Sequence, residues 1–375
     1  MGVAMRLRRL LFPLLAVLSA LPSARSEHGP GEFSFRPCLP LNEEQRDRLR
    51  HLVASDQEAR KLFAVLKSEA EARLGLQPRP IEVICYEGLV NTDPKRIASV
   101  ASLSEMEDVS ILFHYWQATG DASTAAALKR FILAWAATYR PTGNDVNENK
   151  LYPVFVAYLA LRPEFESDER KSVDQWIETL AGLHAAAVDE SRHITNRYTK
   201  RLRLLAVFAK ILNRPDWHAQ AMAGLKRFVQ ESLRADGSSL DLEMRDSLTY
   251  HNSALQPAID LAVAAGPDGP DLYAWTAPSG GSLKKSVDYV VPFANRTKTR
   301  EEWRNSSADL DRRRAAAGLE EYRAGRLFDP QDALGLLEAA SCFDPGLVPL
   351  VLQLQGSGAE RYGSWTMLVN AACRE

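Results

Sequence analysis

Apolar positions recur at helical spacing through most of the chain. Three stripes show this most clearly, because their members lie three or four positions apart. They are Val173, Trp176, Ile177, Leu180 and Leu183; Leu205, Phe208 and Leu212; and Leu225, Phe228 and Val229. Strand-like alternation is confined to short pieces such as residues 81–85. The pattern predicts an all-α protein in which a neighbouring helix covers each stripe.

Short groups of glycine, proline and polar residues separate the helical stretches. They lie at residues 119–121, 140–143, 213–215 and 266–270, and they suit reversals between antiparallel helices. We expect about ten to twelve helices in hairpins, which either stack as a solenoid or close into an α/α toroid. No fixed repeat of about 34 or 40 residues is visible, which disfavours a simple repeat array.

Residues 1–26 have the pattern of a secretory signal peptide. Arg6, Arg8 and Arg9 precede an apolar run at residues 10–21, and small residues at 24–26 offer a cleavage site. Later segments contain no uninterrupted apolar stretch of about 18 residues. We therefore expect a periplasmic or secreted protein with no membrane contact after signal cleavage. The glycine and proline groups are too short to be linkers, which indicates one domain over residues 27–375.

Charge and cysteine content narrow the classes of partner. Removal of the four arginines in residues 1–26 leaves 42 of the 46 lysines and arginines against 48 acidic residues, a formal charge of −6. This balance disfavours a nucleic-acid-binding protein. Four cysteines in an oxidising compartment allow three complete pairings, and we expect up to two disulfides of undetermined connectivity. They are Cys38, Cys85, Cys342 and Cys373.

A strongly basic run occupies residues 192–203, with five lysines or arginines and no acidic residue. If the run opens the helix that carries Leu205 and Phe208, its first turn directs backbone amides, an asparagine and guanidinium groups to one place. A solvated, cation-rich helix start explains the same pattern. The run is a candidate anion-binding site.

Two further polar segments carry candidate chemistry. Residues 241–252 include Arg245, Tyr250 and His251, and tyrosine and histidine transfer protons when their surroundings adjust their acidity. Residues 144–150 are rich in side chains able to bind sugar hydroxyls, although turn chemistry explains them equally well. There is no His-Glu-x-x-His, glycine-rich phosphate loop, Gly-x-Ser-x-Gly elbow or Cys-x-x-Cys motif, which disfavours the chemistries that use them.

The order of several short motifs resembles the alginate lyase superfamily, typified by polysaccharide lyase family five. The resemblance runs from about residue 80 to 355. It rests on ATGD at 118–121, FILAWA at 131–136, PTGN at 141–144, Asn196, LTYHN at 248–252, DLY at 271–273 and SLKKSVDY at 282–289. It implies an incomplete α/α toroid of antiparallel helical hairpins. It also implies a polysaccharide lyase that cleaves 1,4-linked uronate polymers by β-elimination and leaves 4,5-unsaturated ends.

This chain diverges from the family at its Asn-Asn-His motif. Thr195-Asn196-Arg197 stands at that position, so only the asparagine is retained and the family's imidazole is replaced. Arg197, or His193 three residues before Asn196, would have to serve instead. Alginate or polymannuronate is the substrate that the resemblance implies. Glucuronan is the alternative because of the missing histidine.

The resemblance assigns roles to five catalytic candidates. Asn196 donates to the sugar carboxylate, and Arg197 or Arg245 offsets the charge of the developing enediolate. Tyr250 acts near the C5 proton and the leaving oxygen, since nearby cations enable a phenol to serve as a base. His251 orients the tyrosine or takes the base role on the other epimer.

Six further residues are expected to bind the polymer, and protein cations make a metal or other cofactor unnecessary in this account. These residues are His193, Tyr198, Lys200, Arg201, Asn147 and Asn149. The expected partner is an anionic uronate polysaccharide, and the oligomeric state is open.

Two other functions fit the sequence. A glycoside hydrolase on a similar toroid needs two carboxylic acids about 5–9 Å apart, and Glu148 with Asp241 or Glu243 is the candidate pair. A periplasmic binding protein for acidic oligosaccharides would keep the toroid and lack turnover, and the altered Asn-Asn-His motif agrees with this alternative.

Overall fold

The structure is a computed structural model that describes residues 39–356, 358 and 361–374. Within this part the chain forms helices α1 to α18 and one short antiparallel strand pair, β1 with β2. The helices are Glu43–Ser55, Gln57–Arg73, Pro94–Leu103, Glu105–Thr119, Ala122–Thr138, Asp145–Glu148, Tyr152–Leu161, Ser167–Asp189, Asn196–Leu212, Pro215–Ser232, Leu240–Arg245, Leu248–Ala264, Gly269–Ala274, Leu283–Ala294, Asp309–Ala316, Leu334–Ala340, Val348–Gln355 and Trp365–Arg374. The strands are Glu301–Glu302 and Arg326–Leu327.

The reversals predicted from glycine, proline and asparagine are confirmed. Gly120 ends α4 in the left-handed conformation, and Asp121 then caps α5 by accepting the Thr124 N–H. Asn213 ends α9 in the same left-handed conformation, and Pro215 begins α10. Each cap satisfies backbone groups that a helix end leaves unpaired, so the chain reverses where its sequence predicts.

The helices pack as successive hairpins around a shared apolar core. Helix α4 contacts α7, α7 contacts α9, and α9 contacts α12, which form an inner layer. Helices α5, α8 and α10 cover this layer from outside, and α1 packs against α18, so the first and last described helices meet. The architecture is the predicted all-α, incomplete α/α toroid, which brings the starts of α9 and α12 together.

The predicted stripes form the core with one exception. Val173, Ile177 and Leu180 of α8 are fully buried, whereas Leu183 on the same stripe is 39% exposed. Leu183 lies beside the turn at Gly143. Since His184 and Val188 continue the buried face of α8, Leu183 lies at the margin of that face.

The strand-like alternation at residues 81–85 does not produce a strand. The segment is irregular: Ile84 is buried, while Val83 next to it is 43% exposed. Two contacts fix the segment instead of a partner strand. Arg140 donates its backbone N–H to the Glu82 carbonyl, and the Asn147 side chain donates to the Ile84 carbonyl at 2.7 Å. This loop forms one wall of the site described below.

The predictions of a signal peptide, of the domain limits and of the disulfides depend on residues outside the described part of the chain. The predicted signal peptide at residues 1–26 lies outside the described residues, as does Cys38. Cys85 forms no disulfide with a described residue. The domain limits and the pairing of the cysteines stay predictions. In the described part of the chain, no helix has the length and apolarity needed to cross a bilayer.

Candidate active site

The start of α9 is held by a buried carboxylate from α11. The Asn196 backbone N–H donates to both oxygens of Asp241, at 3.0 and 3.2 Å. A carboxylate suits this position because the first turn of a helix presents unpaired N–H groups and a partial positive charge. The Asn196 side chain donates from Nδ2 to the Ser253 hydroxyl at 3.2 Å. These contacts fix the asparagine between α9 and α12.

The arginine after this asparagine is already paired with two carboxylates. Arg197 donates from Nε and Nη2 to Asp145 at 3.0 and 2.8 Å, and from Nη1 to Glu87 at 2.6 Å. Arg201 contacts the same fully buried Asp145 at 2.9 Å. We call Glu87, Asp145, Arg197 and Arg201 the Asp145 cluster. The prediction that Arg197 offsets the charge of the substrate is corrected, since internal carboxylates offset its own charge.

Tyr250 lies in the first turn of α12, where a tight set of caps orients it. The Ser247 hydroxyl accepts the Tyr250 N–H at 3.3 Å, and buried Glu302 accepts from both Ser247 and the Thr249 backbone. The edge of Trp303 packs against the tyrosine ring with centroids 5.6 Å apart. The phenol therefore has a fixed direction, set by a helix cap and an aromatic neighbour.

Two guanidinium groups lie against the Tyr250 phenol. Arg245 covers the ring, 3.5 Å from its centroid, and Arg314 of α15 donates to the hydroxyl at 3.4 Å. Arg245 is itself held by Asp311 at 2.7 Å. Arg314 also donates to Tyr322 at 2.8 Å, and burial raises the pKa of the Tyr322 phenol, which favours its neutral form. Positive charge thus surrounds the Tyr250 oxygen.

A second tyrosine, Tyr86, lies on the loop opposite and was missed by sequence reasoning. Its ring has the Arg96 guanidinium at 4.0 Å and the Lys150 ammonium at 4.6 Å. Burial acts to raise the pKa of this phenol, but the charges of Lys150, Arg96 and Arg314 outweigh it and lower the pKa. The charge of Arg314 thus acts on both phenols, and we call the region between Tyr86 and Tyr250 the cleft.

That space has a positive lining. The arginines of the Asp145 cluster and Arg245 have carboxylate partners. Other cations around the cleft have no carboxylate within ion-pair distance among the residues that the structure describes; they are Arg96, Lys150, Lys200 and Arg314. These cations can attract a polyanion although the whole chain is acidic.

His251 does not face this space, which corrects its predicted catalytic role. The imidazole is fully buried. Its Nε2 lies 3.0 Å from the Ser286 carbonyl, which can only accept, so this nitrogen carries the proton. Nδ1 then accepts from the Ser239 hydroxyl at 2.7 Å. Burial lowers the pKa of His251 to about 4, and the neutral ring ties α12 to α11 and α14.

We expect His251 to make the fold sensitive to acid. Its pKa is lower in the folded state than the ordinary value of 6.5, so its contribution is complete above pH 6.5 and is lost as pH falls toward 4. Between pH 7 and pH 5 the loss from this group is about 2 kcal/mol of unfolding free energy. Urea unfolding of the wild type and of His251→Gln at both pH values measures it.

The comparison concerns the change with pH within each protein, because the substitution also alters the absolute stability. Asp241 acts in the opposite direction, since burial raises its pKa to about 7 and its ionised form is disfavoured in the fold. It is present in both proteins and cancels. An equal loss with pH in the wild type and in His251→Gln would contradict the prediction.

Three predicted binding residues serve structural roles. Tyr198 is 2% exposed and packs against Gly224 of α10, where an added Cβ would lie 3.0 Å from its hydroxyl. Asn147 is buried and ties down the loop at residues 84–87, and Asn149 accepts from Arg203. The prediction that these three side chains bind the polymer is corrected, because each is used in contacts within the protein. His193 is exposed in the turn before α9.

The carboxylate pairs required for a glycoside hydrolase are not assembled. Glu148 is fully buried and accepts from Tyr139 and Thr142, while His184 lies 2.7 Å from its other oxygen. Glu243 is paired with Arg234 at 2.8 Å on the surface. Neither carboxylate can face a sugar together with Asp241. Among described residues, no group of three or more His, Cys, Asp or Glu is arranged to hold a metal ion.

Sequence comparisons agree on one family. The family model described as alginate lyase matches residues 57–303. A polysaccharide lyase of Stenotrophomonas maltophilia (strain K279a) is 28% identical over 182 residues, which are 44% of this chain and 54% of that protein. The chain therefore aligns with about half the length of this curated relative.

Structural comparisons agree on the fold. Alginate lyase A1-III from Sphingomonas species A1 superposes with a TM-score of 0.53 at 18% identity, covering 76% of this chain and 92% of that one. An alginate lyase from Bacteroides ovatus gives a TM-score of 0.61 at 15% identity, covering 84% and 95%. A variant of A1-III complexed with tetrasaccharide gives 0.55 at 17%, covering 80% and 96%. With the family model matching most of its length, this chain belongs to the alginate lyase family.

Proposed function

We propose that this protein is an exported lyase that cleaves 1,4-linked uronate polysaccharides by β-elimination. The observation that carries the proposal is the Tyr250 phenol, which lies beneath Arg245 and beside Arg314 in a cleft lined by cations. Membership of the alginate lyase family supports the same reaction class. The signal-like residues 1–26 support a periplasmic or extracellular location.

The reaction requires positive charge before it requires a base. The proton at C5 of a uronate is weakly acidic because its removal adds charge beside an ionised carboxylate. A cation or N–H donor placed at that carboxylate stabilises the enediolate as it forms, by about 3 kcal/mol for each well-placed donor. In the proposal this donor is the Asn196 amide, which is 7% exposed; it uses one of its two Nδ2 hydrogens on Ser253 and gives the other to the substrate carboxylate.

We propose that Tyr250 transfers the proton. In the proposed reaction its ionised oxygen takes the C5 proton, and the electron pair left at C5 moves onto the carboxylate as the enediolate. The C4–C5 double bond then forms as the bond from C4 to the glycosidic oxygen breaks, and the neutral phenol gives its proton to that leaving oxygen. The guanidinium groups of Arg245 and Arg314 stabilise the negative charge that this oxygen carries before it takes the C5 proton.

The substrate is proposed to be alginate, as polymannuronate, or glucuronan. In alginate lyases of the family an imidazole stands where this chain has Arg197, and the Asp145 cluster immobilises that arginine. The difference changes the surroundings of the C5 proton. Both polymers should therefore be tested, since polymannuronate and glucuronan are built from different sugars that carry the same carboxylate group.

The direct test is to incubate the protein with polymannuronate, polyguluronate and glucuronan. The ultraviolet absorbance of the conjugated unsaturated uronate is followed for each polymer. We expect a steady rise with one of them. New reducing ends without this absorbance would instead indicate hydrolysis.

A non-catalytic binding protein for acidic oligosaccharides is the second candidate. It is favoured by one observation: the residue at the family's histidine position is bound by two internal carboxylates. Saturable binding of a uronate oligosaccharide, with no product after prolonged incubation, would identify this function. Tyr250 and its two guanidinium groups favour the lyase.

A further inference from the structure

Lys200 stands apart from the other cations of α9. It follows Asn196 by four residues, so both side chains lie on the same face of the helix. It is partly buried, and no described carboxylate lies within ion-pair distance of its ammonium group. By contrast, Arg197, Arg201 and Arg203 each contact a carboxylate. The basic run therefore contains a partly buried ammonium beside the amide proposed to bind the sugar acid.

The two carboxylates nearest in charge effect to Lys200 are already bound to other groups. Asp145 from α6 attracts its charge, but two arginines already share that carboxylate. Asp241 from α11 also attracts it, but its oxygens accept the Asn196 N–H, and burial raises its pKa to about 7. The charges of Lys150 and Arg203 oppose the ammonium. Burial, the largest influence, lowers the pKa of Lys200 to about 8.

We propose that Lys200 binds the carboxylate of the uronate that loses its C5 proton, together with Asn196. The inference rests on the proposed function and adds the identity of the charge-neutralising residue, a task that the sequence suggested for Arg197. A substrate carboxylate beside Lys200 would supply the negative charge that its ammonium group lacks, since no described carboxylate lies within ion-pair distance of it. Hydrogen bonds from an ammonium to a carboxylate are stronger than neutral ones, and they lose little to screening when partly buried.

The arrangement makes binding depend on protonation. A bound carboxylate favours the ammonium form, so binding above neutral pH takes up a proton. The affinity therefore falls as pH rises through about 8, where the free amine loses its charge. Asp145, Lys150, Asp241 and Arg203 are the charged groups that surround it. Asp241, whose pKa is about 7, gains its negative charge in the lower part of the tested pH range, and that charge favours the ammonium form of Lys200.

The test is calorimetric titration of a mannuronate or glucuronate tetrasaccharide, chosen from the polymer that the wild type cleaves. The host is Tyr250→Phe, which keeps the ligand intact. We expect Lys200→Met in this host to weaken binding about 10–100-fold at pH 7. Lys200→Arg keeps the charge and should reduce the fall in affinity between pH 7 and pH 9 to the part that the ionisation of Asp241 causes. Lys210→Met removes a lysine from the distant end of the same helix and should change the affinity less than twofold.

The outcomes separate this inference from the proposed function. If the wild type cleaves a polyuronate while Lys200→Met binds as tightly as its host, the inference is overturned and the lyase function stands. If Lys200→Arg retains the full fall in affinity with pH, protonation of Lys200 is not the cause and the inference is overturned. A wild type that neither cleaves nor binds any uronate overturns both.

Discussion

Replacement of Tyr250 by phenylalanine should lower kcat by roughly 10²–10⁴-fold, the usual contribution of a positioned acid or base. The ring should remain in place, because its contacts with Arg245 and Trp303 do not involve the hydroxyl. The KM and the melting temperature should therefore change little. Initial rates from product absorbance, with thermal unfolding of the same samples, measure these quantities.

Tyr322→Phe is the matched control. It removes a phenol that accepts from the same Arg314 guanidinium, and Tyr322 favours its neutral form. Its rate loss should be much smaller than that of Tyr250→Phe, since it only helps to orient the arginine. Equal losses in the two variants would show that Arg314 placement, rather than the Tyr250 phenol, limits the reaction. Full activity of Tyr250→Phe would remove this residue from the mechanism.

Asp145→Asn should lower the free energy of unfolding by about 3 kcal/mol. Removing one partner of a buried ion pair typically costs about 3–5 kcal/mol, because the remaining charge is left without compensation. We expect the lower end, since the Arg197 side chain is 42% exposed and solvent screens part of its charge. Arg201, only 19% exposed, loses its carboxylate partner. Chemical denaturation at pH 7 gives the value.

Asp216→Asn provides the comparison on the surface. Asp216 pairs with Arg214 at 2.6 Å, but both side chains are well exposed, and solvent screening leaves such surface pairs little net effect on stability. A loss of unfolding free energy in Asp145→Asn no larger than in Asp216→Asn would contradict the role assigned to the Asp145 cluster.

The activity of Asp145→Asn should also fall, because Arg197 and the loop at Glu87 lose the carboxylate that holds them together.

The hairpins were predictable because their signals are local. Gly120, Asp121 and Asn213 end or cap helices for reasons that act within a few residues, and those reasons hold whatever the tertiary fold. Helical spacing likewise identified the buried positions of α8, α9 and α10. It did not show the margin of the buried face, so it placed Leu183 inside. The apolar alternation at residues 81–85 is typical of a strand, but a strand also needs a partner, and no local signal shows that the partner is absent.

The candidate site was predictable only in part, because the partner of each charge lies far along the chain. Asn196, Arg245 and Tyr250 do lie around one region, through contacts with Asp241 and the start of α12. Arg197 and Glu87 lie 110 residues apart in the sequence, and no local pattern predicts that they pair. His251 follows Tyr250 directly, yet helix geometry turns it about 100° away and into the core.

Two residues of the cleft gave no usable signal. Arg314 stands in a run of three arginines on α15, where a solvated face is the ordinary interpretation, and only the fold brings it to Tyr250. Tyr86 lies in a loop without periodicity, and its cationic neighbours come from α3 and from the turn before α7. The positions of Arg314 and Tyr86 in the cleft depend on contacts between segments that are distant in the sequence.

The central claim is that this cationic cleft moves a proton from a sugar acid by elimination rather than by hydrolysis. Mass analysis of the products released from the preferred polyuronate tests it most directly. From the wild type, and not from Tyr250→Phe, we expect oligosaccharides that are one water lighter than hydrolysis products and that carry the unsaturated chromophore. Fully hydrated, saturated oligosaccharides from the wild type would contradict it.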